Sequence, residues 1–147
     1  MTSSQGRILL VDDSADDVAL TLRALRKNHI TNAVEIASDG EEALKCLFPE
    51  DRQQPLPALV LLDLNMPKIG GLEVLRRIRG DQRTRYLPVV VLTTSSEDQD
   101  IVRTYDLGGN SFVRKPVAFD EFLDAIRLLG CYWLLVNQVA QHRAAAG

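Results

Sequence analysis

The sequence predicts an α/β protein: a five-stranded parallel sheet, doubly wound by helices on both faces, with an extended C-terminal helix. Three observations predict it. Short runs rich in Val, Ile and Leu alternate with longer segments of helical period. The apolar runs are nearly continuous rather than alternating with polar residues, which is how strands covered on both faces read. The alternation repeats five times, and repeated βα units assemble a parallel sheet.

Taken in order, the strand candidates are Arg7–Val11, Ala33–Ala37, Ala58–Leu62, Pro88–Leu92 and Ser111–Arg114. The helical segments lie around 16–27, 40–47, 71–79, 97–107 and 118–137. In the first helix Val18, Leu22 and Leu25 recur at helical spacing, so that face packs on the sheet, with Ser14 and Asp16 available as caps. The polar stretch Pro49–Pro57, with three prolines, reads as a surface loop between the second helix and the third strand. No internal repeat is visible.

At 147 residues the chain has room for one ordinary domain with a substantial core and none for a second. The boundaries expected are a flexible 1–6, a folded unit over 7–129 and a helical extension with tail over 130–147. With 46% hydrophobic and 25% charged residues the composition is that of a globular protein. A net charge of −3 argues against a general nucleic-acid or anionic-membrane binder, which would carry a basic excess. Residues 1–6 lack the apolar stretch of a secretory signal, and no later run spans a bilayer, so a cytoplasmic location is expected. Cys46 and Cys131 are too few and too far apart for a disulfide framework or a metal knuckle, and His29 and His142 have no ligand-like spacing to them.

In an open α/β sheet ligands sit outside the carboxyl ends of the strands. Here the first strand runs into Asp12 and Asp13, the third into Asp63, the fourth into Thr93 and Thr94, and the fifth reaches Lys115 and Pro116. Three carboxylates, a hydroxyl and an amine should therefore converge. Like charges about 4 Å apart repel by roughly 4 kcal/mol at an effective dielectric of 20. Either a cation sits among the acids or one of them holds a proton. A hard divalent ion fits best, because Mg²⁺ takes oxygen ligands, keeps several waters and commonly uses one or two carboxylates. A lone Asp after a strand is usually a cap or a turn residue, and Asp16 and Asp17 are read that way. Three acids at the ends of two strands make a site. The first βα turn, Val11-Asp12-Asp13-Ser14-Ala15, contains neither GxGxxG nor a Walker lysine, and its carboxylates would repel a bare phosphate.

These residues resemble the CheY-like receiver domains of two-component signalling over roughly Arg7 to Leu129. The resemblance rests on Asp12-Asp13, Leu62-Asp63-Leu64-Asn65-Met66-Pro67, Gly70-Gly71, Val91-Leu92-Thr93, Phe112 and Lys115-Pro116. It implies a flavodoxin-like (βα)₅ fold and a stand-alone response regulator that takes a phosphoryl group from a sensor histidine kinase onto Asp63. It further implies Mg²⁺ held by Asp12, Asp13, Asp63 and the backbone carbonyl of Asn65, with Thr93 and Lys115 on the phosphoryl oxygens and a cis Lys115-Pro116 peptide. Thr93 and Phe112 would form the switch, Phe112 moving inward as Thr93 turns to the new acceptor. Moving an equilibrium from 1:99 to 99:1 takes about 5.5 kcal/mol, which several charge-assisted hydrogen bonds can supply together. Asn65 and Ser95, two residues beyond Asp63 and Thr93, are the positions expected to tune hydrolysis.

The Pro49–Pro57 loop and the extension with Gly130-Cys131-Tyr132-Trp133-Leu134-Leu135 are similar to the receivers partnered with bacterial phytochrome-type kinases. Three functions compete: a phosphorylated switch that is not itself a turnover enzyme, an aspartyl-phosphate phosphatase, and an interaction module without phosphorylation. A dehalogenase-like phosphatase wants an acid two residues after its nucleophile, and Asn65 stands there. An inactive module would have lost one of the five site residues, and none is lost. A phosphorelay intermediate stays open. In the last helix Phe119, Phe122, Ile126 and Leu129 suit the sheet, whereas Leu128, Tyr132, Leu135 and Val139, with Trp133 and Val136 beside them, form a second apolar line. That line predicts a homodimer through the C-terminal helix; folding back over its own domain is the alternative.

Overall fold

The structure is a computed structural model that describes residues 6–51, 53–64, 66, 69–93, 111–114 and 119–130. Its strands are β1 (Ile8–Val11), β2 (Val34–Ala37), β3 (Leu59–Leu62), β4 (Val89–Thr93) and β5 (Ser111–Arg114). The helices among the described residues are α1 (Ala15–Lys27), α2 (Gly40–Leu47), α3 (Gly71–Gly80) and α4 (Phe119–Gly130). The sheet has the order β2-β1-β3-β4-β5 and every pair is parallel. The expected helix around 97–107 and the continuation of the last helix beyond Gly130 lie outside the described residues.

Strand period divides the apolar residues between two layers. Leu9, Val11, Val60, Leu62 and Val89 face α2 and α3, joining Ala43, Leu47, Val74, Leu75 and Ile78. Ile8, Leu10, Leu59, Leu61, Val90 and Leu92 face α1 and α4, joining Ala24, Leu25 and Ile126. Both faces are thus covered, and β1 and β3 are buried along their whole length. Expected strand starts at Arg7, Ala33, Ala58 and Pro88 each fall one residue early. The ladder nevertheless uses these residues: Ile8 N–H donates to Ala33 O, Ala58 N–H to Arg7 O and Val60 N–H to Pro88 O.

The buried face of α1 agrees with the expected one at Val18 and Leu25 and differs at Leu22. Thr21, Ala24 and Leu25 are buried, with Val18 and Leu20 packed at the edge, while Leu22 is half-exposed. α1 lies close against α4, and the small side chains of Thr21 and Ala24 fall on its buried side while Leu22 falls toward the rim. Ser14 is the N-cap, its Oγ accepting from Asp17 N–H at 3.2 Å. The helix ends in a Schellman motif, Ile30 N–H to Leu25 O and His29 N–H to Arg26 O, both 3.0 Å. His29 adopts the left-handed φ of 59° that this ending requires. Asn28 Nδ2 then donates to Ala24 O and to Leu123 O, each at 3.0 Å, tying α1 to α4.

The proline-rich loop is a surface segment, as expected, but it is anchored. Arg7 Nη1 donates to Pro55 O at 2.7 Å, and Arg83 donates to Leu47 O at 2.9 Å and Gln54 O at 2.6 Å. Arg7 also pairs with Glu35 at 2.9 Å. Cys46 Sγ sits 3.5 Å from the other Glu35 oxygen, and burial together with that carboxylate pushes its thiol up to about 11. It is a protonated, partly buried thiol. No helix among the described residues is long and apolar enough to cross a membrane.

Candidate functional site

Register brings the predicted acids together. Val11 of β1 is the partner of Leu62 in β3, so the next residues, Asp12 and Asp63, leave the sheet side by side. The ladder continues one step past the strands on each side, with Asp63 N–H donating to Val11 O at 2.9 Å and Asp12 N–H to Ala37 O at 3.0 Å. Both acids are thereby held by backbone on a sheet buried on both faces. Asp12 is 2% exposed and Asp63 6%, while Asp13 is exposed.

Asp12, Asp13 and Asp63 each offer a carboxylate oxygen, and these oxygens lie within 4.8 Å of one another. Ser14 N–H donates to Asp12 Oδ1 at 3.0 Å, fixing that side chain in an Asx turn while the Ser14 hydroxyl caps α1. The sequence named Ser14 only as a cap; its second bond orients the acid, and its place two residues after Asp12 is the signal for it. Three hard anionic oxygens, two of them on buried residues, are the donor set of a hard divalent cation. The residues fit a divalent metal.

The backbone following Asp63 is gripped closely. Gly71, first residue of α3, donates its N–H to Leu64 O at 3.2 Å. A Cβ there would collide with the Asp63 carbonyl oxygen and lie 2.7 Å from Leu64 Cα. The paired glycines of the sequence thus have different tasks. Gly70 is the N-cap without a side-chain bond, and Gly71 provides room for the site.

Thr93 ends β4 two residues beyond Val91, the partner of Leu62, which sets its backbone at the same edge of the sheet as Asp63. Phe112 pairs with Val91 and Arg114 with Thr93 in β5, so Lys115 follows directly on the partner of Thr93. Asn65, Lys115 and the Lys115-Pro116 peptide lie outside the described residues, as do Ser95, Tyr132, Trp133, Leu135, Val136 and Val139. Leu128 lies on α4 and is 60% exposed.

Comparison with known proteins agrees with this geometry. The bacteriophytochrome response regulator AtBRR is 48% identical, with a TM-score of 0.73 over 92% of this chain and 100% of that one. The phosphorylated cyanobacterial phytochrome response regulator RcpA is 33% identical, with a TM-score of 0.85 over 94% and 100% of the two chains. Response regulator Rcp1 of Synechocystis sp. is 35% identical over 86% of this chain and 88% of its own length. The Mn²⁺-bound structure of Rcp1 has a TM-score of 0.82 over 92% and 99% of the two chains. Residues 8–127 match the response regulator receiver domain, and the chain belongs to that family as a phosphoacceptor response regulator.

Proposed function

We propose that Asp63 is the phosphoacceptor, taking its phosphoryl group from the histidine of a phytochrome-type sensor kinase with Mg²⁺ at the acid cluster. The observation that carries this reading is the meeting of Asp12, Asp13 and Asp63 at one sheet edge, their oxygens within 4.8 Å. Asp12, Asp13, Asp63 and the Asn65 carbonyl would hold the ion, which would offset the charge of the carboxylates and of the incoming phosphoryl oxygens. Asp63 attacks phosphorus with an already ionised carboxylate, so no general base is needed. An O–P bond forms, the P–N bond to the donor imidazole breaks, and the imidazole leaves with the electron pair. Such transfer is mostly positioning and charge stabilisation, and Thr93 and Lys115 contribute the remaining donors to the phosphoryl oxygens. A Mn²⁺-bound form of Rcp1 and a phosphorylated form of RcpA, both similar to this chain, support this reading.

Output passes through Thr93 and Phe112 to protein surfaces of the 7–129 unit. Self-association through α4 and the 130–147 extension is part of this reading, supported by the exposed Leu128. Acetyl phosphate with Mg²⁺ adds one phosphoryl group to the wild type by mass spectrometry, and Asp63→Asn adds none, because an amide is not the nucleophile. An acid-stable adduct on Asp63→Asn overturns the assignment. A phytochrome-type kinase that transfers to the wild type no faster than an unrelated histidine kinase removes the partner. Light scattering that finds a monomer at high micromolar concentration, phosphorylated or not, removes the dimer.

A further inference from the structure

Two helices flank the loop that starts at Asp63 and ends at Gly70, and both begin with a buried glycine: Gly40 opens α2 and Gly71 opens α3. Neither glycine has the left-handed φ that would call for it on conformational grounds. Alanine is the better helix former by up to about 1 kcal/mol. Propensity therefore argues against glycine at both positions, and the reason for it is space. A Cβ on Gly71 meets the loop at its beginning, on Asp63 O and Leu64 Cα. A Cβ on Gly40 meets it at its far end: it would collide with Ile69 O and lie 2.8 Å from Ile69 Cβ and 3.0 Å from the Ile69 carbonyl carbon.

Two of these three contacts at Gly40 are with backbone, which cannot swing aside as a side chain can. The start of α2 cannot easily retreat either. Asp39 caps it by accepting from Glu42 N–H at 2.8 Å, Glu42 reaches back to Ser38 N–H at 3.3 Å, and Ala43 and Leu47 bury the helix in the core. Any side chain at 40 must push the loop. The same loop end carries Ile69, which packs on the core layer beside Leu44 and Phe48.

We propose that Gly40 is a positioning residue for the phosphoacceptor. With no side chain, it lets α2 rest on the Ile69 carbonyl, fixing the distal end of the loop whose proximal end α3 holds at Gly71. Gripped at both ends, the loop keeps the Asp63 carboxylate at the distance from Asp12 and Asp13 that a metal ion and a phosphoryl group require. This inference rests on the reading of Asp63 as phosphoacceptor.

The test compares Gly40→Ala with Gly80→Ala, a helical glycine that has nothing within 4 Å of its added Cβ. Metal affinity is measured by calorimetry with Mn²⁺ or Mg²⁺ alone, backbone order by hydrogen exchange over residues 63–71, and phosphorylation by acetyl phosphate at saturating metal. A misplacement on the order of 1 Å can cost about 100-fold in rate. Gly40→Ala is expected to bind metal and to accept phosphoryl at least roughly tenfold less well, with faster exchange over the loop, while Gly80→Ala matches the wild type. If Gly40→Ala does not fold, Ile69→Gly alone loosens the same contact without adding atoms and must show the same losses. Wild-type metal affinity and rate in folded Gly40→Ala, or failing that in Ile69→Gly, overturn the proposal, even if the melting temperature falls. A wild type that takes no phosphoryl group at Asp63 sinks the functional reading, and this inference with it. Equal phosphorylation of wild type and Gly40→Ala sinks the positioning role alone.

Discussion

The two ends of the sheet carry opposite charge and use it differently. At the C-terminal edge of the strands stand Asp12, Asp13 and Asp63, joined by the acids of the helix starts, Asp16 and Asp17 in α1 and Glu41 and Glu42 in α2. At the other edge stand the bases of the helix ends, Arg26 and Lys27, Lys45, and Arg77 and Arg79, with Arg7 and Arg83 beside them. Each helix is charged in the sense its dipole favours, so a βα repeat with all strands parallel separates charge along the molecule. The basic end uses its cations on fixed carbonyls. Arg7 holds Pro55 O, Arg79 holds Leu87 O at 2.7 Å, and Arg83 holds Leu47 O and Gln54 O. At the acidic end the strand-end carboxylates of Asp12, Asp13 and Asp63 bring like charges within 4.8 Å of one another. Charge at one end serves structure, and at the other it forms a set of oxygens that fits a divalent metal.

Charge removal at the two ends should therefore change stability in opposite directions. The largest effect is expected at the acidic end. Metal at about 100 times its Kd stabilises a one-site protein by about 2.7 kcal/mol, and Asp12→Asn should lose that gain while melting above the wild type when both are metal-free. Thermal melts with and without Mg²⁺ measure both halves. A variant that gains as much from the metal as the wild type breaks the comparison. Next comes Arg83→Ala, which removes a partly exposed guanidinium from two carbonyls and is expected to cost about 1.5 kcal/mol. The loss should be the same with and without Mg²⁺, and a neutral result in urea unfolding would deny the basic end its structural role.

The smallest effect is expected at Glu73, a partly exposed acid at the start of α3 whose carboxylate meets Arg76 at 2.5 Å and Arg77 at 2.9 Å. Hydrogen bonds from Arg76, then Arg77, lower it from about 4.5 to about 2. A folded-state value depressed in this way contributes stability above pH 4.5 and loses it as pH falls toward 2. Glu73→Gln should flatten that part of the acid limb slightly and leave metal binding untouched. A steeper acid limb in the variant would contradict the sign.

Sequence by itself determined the alternation of strands and helices and the residues that end the strands. Burial on both faces demands continuous apolar runs, and a carboxylate that interrupts such a run marks where the strand ends, as at Asp12 and Asp63. The cap at Ser14 was legible because it bonds a residue three positions away, whereas Asp16, also offered as a cap, lies within the first turn of α1. Tertiary structure alone decided the rest. The pairing of Val11 with Leu62, which sets Asp12 beside Asp63, joins residues far apart in the chain. So do the ties from Arg7 and Arg83 to the proline-rich loop and the contact of Gly40 with Ile69. Even the buried face of α1 turned on such packing, with Thr21 buried and Leu22 only partly so. Periodicity and capping act over a few residues and leave a local trace, whereas register and close approach depend on how whole elements pack, and no short stretch of sequence records that.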